Sequence, residues 1–251
     1  MKNTHAHSDH RTTPLAAPVR ALRTALGCTG LGATLALGAC GGGNITTTLS
    51  LGLPEPPASY PLSAAVSAYL QVPHEHRLSA TSGTDQYTLQ WHAEPGAATL
   101  FEGQLASTLD TTHAIERNGQ RIAGATLTDY FQLMPFRPLG GINRSQGSYE
   151  VATHQQALPS SARIGQSGSV SDGARYADAS RRTLLSTTSL GWSLESAGDR
   201  LAWACLTTEI VPVAASAQAG RESICYRLDT TGQVSAVMMR LSLDGRWLTF
   251  E

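Results

Sequence analysis

The feature that most constrains this chain is an alternation of apolar and polar residues that recurs after residue 76 and is broken at short intervals by turn signals. In "YTLQW", Tyr87, Leu89 and Trp91 fall on one face of a strand and Thr88 and Gln90 on the other. "ICYRL" and "RWLTF" repeat the rhythm with residues that suit a pleated surface. Between the runs stand Ser82-Gly83-Thr84-Asp85, Glu94-Pro95-Gly96, Asn118-Gly119, Thr230-Thr231-Gly232 and Asp244-Gly245. Asn-Gly and Asp-Gly supply the positive φ angles of two-residue hairpins, so "AIERNGQRIAG" and "LSLDGRWLTF" are expected hairpins.

Strands that follow one another without long amphipathic helices imply a mainly β fold of antiparallel sheets, a sandwich or a partly open barrel. One short helix is expected near Ser63 to Gln71, where Leu62, Val66, Tyr69 and Leu70 share a face. The segment "MPFRPLGGINRSQGS" interrupts the pattern, so the β-rich body at 62–251 reads either as one unit or as two divided near 135–148.

Charge is distributed unevenly. Before Cys40 stand Lys2, Arg11, Arg20 and Arg23 against Asp9; from Cys40 onward there are 14 Arg and no Lys against 18 Asp plus Glu. A mildly acidic body without a basic stripe cannot neutralise phosphates by counterion release, which argues against nucleic acid as a partner. A body without lysine also has no Schiff-base chemistry and no P-loop ammonium.

The basic leader is followed by an uncharged apolar stretch, Thr24 to Ala39, rich in Ala, Leu and Gly and ending in small residues. That order is the order of a secretory signal, and the stretch is shorter than the ~20 residues a spanning helix needs. At its end Leu37-Gly38-Ala39-Cys40 resembles the lipobox of bacterial lipoproteins. The resemblance covers the leader only. It implies removal of 1–39, lipidation of the Cys40 thiol, and a membrane partner reached through acyl chains. Two or three chains would make that anchor effectively permanent. Gly41, where an inner-membrane lipoprotein would carry aspartate, implies by the same resemblance the outer membrane facing the periplasm. Residues 40–61, rich in Gly, Thr, Ser and Pro with a single charge, read as the lipidated terminus and a flexible tether.

Cys28 would leave with the leader. Cys205 and Cys225 remain, and in an oxidising compartment two cysteines usually pair. They flank a small-residue turn region from Ala214 to Gly220, as partners across an antiparallel hairpin should. Trp203 shares a face with Cys205, while Ile224, Tyr226 and Leu228 lie opposite Cys225, so the sheet must bury both faces there or contain a bulge.

Catalytic signatures are sparse. "GQSGS" at 165–169 has Ser169 where the second outer glycine of a nucleophile elbow belongs, and a turn is the simpler account of Ser167. His74 and His76 would share a strand face and could bind a metal with His92 or His154, but a solvated loop after Pro73 accounts for them without one. His113 is another single histidine. Asp172 with Asp178, or Glu195 with Asp199, could act as acid and base, yet Gly173 and Gly198 suggest turns. Tyr130, Phe131 and Phe136 suit either a ligand pocket or a core. No catalytic residue, metal or cofactor is assigned. The expected function is a lipid-anchored envelope protein with a non-catalytic binding or structural β module and an envelope protein or apolar ligand as partner. A carrier of a lipid or other apolar ligand and a hydrolase with a dispersed active site are the alternatives.

Overall fold

The computed structural model describes residues 58–243 and 245–251. Cys40, the leader, most of the tether and Asp244 of the last expected hairpin lie outside the described residues. Among the described residues one α-helix, α1 (Leu62–Tyr69), precedes twelve strands: β1 (His74–Ser82), β2 (Asp85–Phe101), β3 (Gln104–Arg117), β4 (Gln120–Leu133), β5 (Phe136–Asn143), β6 (Ser148–Gln155), β7 (Ser167–Tyr176), β8 (Leu184–Ser196), β9 (Leu201–Pro212), β10 (Gly220–Asp229), β11 (Val234–Leu243) and β12 (Arg246–Phe250).

Each strand pairs antiparallel with the next in one sheet, in sequence order throughout. The two ends of the sheet meet. Ser79 N–H donates to the Glu251 carbonyl at 2.9 Å, and Glu251 N–H donates to the Ser79 carbonyl at 3.0 Å. The result is a nearly closed barrel, which removes the exposed edges that an open sheet of this size would present.

The alternation in the sequence sets inside from outside. Along β2, Tyr87, Leu89, Trp91 and Ala93 are buried while Gln90, His92 and Glu94 are exposed. Asn118 (φ 52°) and Gly119 (φ 81°) make the β3–β4 turn, the positive-φ pair that a tight hairpin demands. The segment that interrupts the sequence pattern contains β5, hydrogen-bonded to β4 on one side and β6 on the other. Its glycines permit this. A Cβ at Gly140, whose φ is 146°, would lie 2.1 Å from the Glu150 carbonyl oxygen.

Helix α1 closes one end. Its alanines and leucine favour the helix, and it starts directly after Pro61, whose fixed φ suits a helix entrance. Leu62, Ala65, Val66 and Tyr69 turn inward onto Phe131, Phe136, Leu206 and Tyr226. Ser67 Oγ donates to the Leu133 carbonyl at 2.6 Å and Ser63 Oγ accepts from Phe136 N–H at 3.3 Å, which fixes the helix to the β4–β5 corner.

Two patches bury the outer face as well. The β2–β3 hairpin tip brings Phe101 onto Tyr130, with ring centroids 4.1 Å apart, and onto Leu139 and Tyr149. On β9 and β10, Cys205 and Cys225 face each other in register and form a disulfide with Cα atoms 4.0 Å apart. Met238 and Trp203 pack beside them. The register from Gly220↔Ile210 to Asp229↔Leu201 runs without a shift. Burial of both faces, and not a bulge, therefore reconciles the bridge with the inward Ile224, Tyr226 and Leu228.

Candidate functional site

Barrel diameter grows with strand number, and about eight strands are just filled by their own side chains. Twelve leave space. The lumen holds a cavity of about 300 Å³ between α1 and the opposite end of the barrel. Near α1 its walls are apolar, formed by Trp91, Leu109, Phe131, Phe136, Leu206 and Tyr226. Farther from α1 they carry Asp129 of β4, Glu150 of β6, Arg175 of β7 and Glu222 of β10, with Thr188 and Thr208 between.

Glu150 is fully engaged. Arg175 donates to its Oε2 from Nε at 3.0 Å and from Nη2 at 2.8 Å, and Thr188 Oγ1 donates to Oε1 at 2.8 Å. Glu150 and Arg175 are cross-strand partners, so register alone brings them together. Gly173, directly opposite Thr188, makes room: a Cβ there would lie 2.4 Å from the threonine Oγ1 and 3.2 Å from Glu150 Oε1.

Asp129 and Glu222 are different. Neither has a hydrogen bond or an ion pair with another described residue. Both side chains are exposed, yet both line the lumen inside the ring of strands. The two observations agree once the geometry is considered, because the accessible surface faces the lumen and not the outside. Burial pushes the Asp129 carboxyl up to about 7, and the nearby Glu150 and Glu222 carboxylates push the same way against the pull of Arg175. Burial also raises Glu222, opposed by Arg175 and reinforced by Glu150. Gly141 pairs with Asp129, and a Cβ at Gly141 would lie 3.1 Å from Asp129 Oδ1. The carboxylate keeps free space around it.

The histidines are dispersed. His113 lines the lumen, where burial and then the Arg121 charge hold its imidazole below the usual range. His74 and His76 do not lie in the expected solvated loop; they belong to β1 and clamp α1. His74 stacks on Tyr69 at 3.6 Å and its Nε2–H donates to the Tyr69 carbonyl at 2.7 Å, while His76 Nε2 shares a 2.7 Å hydrogen bond with the Tyr69 hydroxyl. His92 is on the outer face of β2, 3.8 Å from Glu94, and His154 shares a hydrogen bond with Gln156. Among the described residues no three His, Cys, Asp or Glu converge closely enough to hold a metal ion.

The other candidates also separate. Ser167 opens β7, following the turn that ends at Gln166, with its side chain exposed. Asp172 lies within β7 and not in the turn that Gly173 suggests, and it is exposed. Asp178 accepts from Ser180 N–H in the β7–β8 loop, and Glu195 pairs with Arg240 at 3.0 Å. Tyr130, Phe131 and Phe136 all line the lumen, and the Tyr130 ring also stacks on Phe101. Comparison of the chain with protein-family models, curated proteins and solved structures finds no match, so no enzyme family is identified.

Proposed function

We propose that this chain is a lipid-anchored protein of the cell envelope whose barrel is a non-catalytic binding module for a small molecule held in its lumen. The observation that carries the reading is the cavity of about 300 Å³ inside the ring of strands, with an apolar floor and a few convergent polar groups on its wall. Small-molecule sites have this composition, and the volume falls at the lower end of the range of roughly 300–1,000 Å³ that such sites occupy. The anchor rests on the lipobox-like Leu37-Gly38-Ala39-Cys40. A purely apolar cargo is the second reading; the floor favours it, and Asp129, Glu150, Arg175 and Glu222 on the wall weigh against it.

Native mass spectrometry of the protein released from membranes tests both parts at once. Acyl chains at Cys40 and a small-molecule adduct are expected, the chains disappearing in Cys40→Ser and the adduct in Thr188→Trp, which fills the lumen. An unacylated protein would contradict the anchor. Protein without an adduct, or an adduct that survives Thr188→Trp, would contradict the lumen as the site.

A further inference from the structure

We infer that the ligand is an organic cation with an apolar body, its ammonium or guanidinium group held in the negative field of Asp129 and Glu222 while its hydrocarbon part lies on the floor beside Trp91 and Phe131. This inference rests on the lumen being a ligand site and specifies what that site selects.

Three carboxylates and one guanidinium line the described wall. Arg175 and Thr188 together engage both carboxylate oxygens of Glu150, which leaves two carboxylates for a single lumen without a partner among the described residues. In a ring of twelve, β4 and β10 are six strands apart, so Asp129 and Glu222 approach the lumen from opposite sides. Each is opposed by Glu150, and Asp129 is opposed by Glu222 as well. Carboxylates removed from bulk water need an opposite charge or a proton. An anion entering this lumen would add to the repulsion. A neutral apolar ligand would cover Asp129 and Glu222 without pairing them. A bare metal ion needs several ligands on one small sphere, and no such group of three exists among the described residues. A cationic group within the lumen lowers the mutual repulsion of the two carboxylates, and an attached apolar group meets the floor.

The test compares three probes with one hydrocarbon chain: octylammonium, octanol and octanoate, titrated calorimetrically into the full-length protein at about pH 8, where Asp129 is ionised. Octylammonium should bind about tenfold or more tighter than octanol, as expected for hydrogen bonds to charged groups, and octanoate weakest of all. The near-isosteric double variant Asp129→Asn/Glu222→Gln should bring octylammonium to the octanol level while octanol affinity, which also reports an intact lumen, stays unchanged. Equal affinities for all three probes in the native protein would overturn the cation preference and leave the lumen a general apolar site. Preference for octanoate would also overturn it. Absence of binding by any probe would overturn the binding module itself.

Discussion

At the floor of the lumen Leu62, Val66, Leu206 and Tyr226 are all less than a tenth exposed and pack against one another. Two residues before Phe131 on β4 stands Asp129, and two before Ile224 on β10 stands Glu222, each without a hydrogen-bond or ion-pair partner among the described residues. The change from close packing to unpaired charge takes about 7 Å of strand. Both regions are drawn from the same inward-facing positions of the same alternation, so backbone geometry does not distinguish them. Side-chain chemistry does. The floor gains stability from burying apolar surface, and the wall gives up stability to keep two carboxylates away from bulk water. A fold that needed only to be stable would carry Thr or Leu at 129 and 222, as it does at positions 188 and 206.

Substitutions at the two regions should therefore move stability in opposite directions. The larger effect belongs to the floor: Leu62→Ala removes a side chain that is 1% exposed and should destabilise the barrel by about 2–5 kcal/mol, read as a fall in denaturation midpoint. Loss of less than ~1 kcal/mol would mean that α1 is not an integral closure.

The smaller effect is at the wall, with the sign reversed. The Asp129 carboxyl stands at about 7 in the folded protein against an ordinary value of 3.8. The folded state then holds more protons than the unfolded state between those limits, so stability falls as pH rises through that window. Glu150 on β6, Glu222 on β10 and Asp110 on β3 add to the cost, and Arg175 on β7 opposes it. Asp129→Asn removes the charge, so the variant should be more stable than the native protein at pH 8, by about 1 kcal/mol once screening by solvent reaching the lumen is allowed for. In a domain of this size that is about 2–4 °C in Tm. Below pH 4 the difference should vanish. A variant less stable than native at pH 8 would show that Asp129 is paired.

The barrel wall was legible in the sequence to the extent that one face of each strand is apolar. Tyr87, Leu89 and Trp91 face inward as their spacing requires, and Asn118-Gly119 turns as its chemistry dictates. The Cys205–Cys225 pairing was likewise readable from their placement about a turn. Closure was not, because it depends on Ser79 meeting Glu251 across 172 residues, and no local pattern encodes that contact. The lumen charges were half visible. Glu222 shares its parity with Ile224, Tyr226 and Leu228, and Asp129 shares its parity with Leu127 and Phe131, so an acid on an otherwise apolar face was the available signal. Glu150 was hidden. Its neighbours Tyr149 and Val151 are the apolar ones, and they face outward because Phe101, from a distant hairpin, covers them. The i, i+2 spacing of His74 and His76 fits metal chemistry, yet both rings pack against Tyr69.

The most direct measurement is an NMR titration of the Asp129 side-chain carboxyl, with and without octylammonium. A midpoint near 7 is expected in the ligand-free protein, with a clear downward displacement when the cation enters the lumen, since an adjacent positive charge favours the ionised form. A carboxyl that titrates near its ordinary 3.8, or one whose midpoint does not respond to the cation, would contradict that expectation.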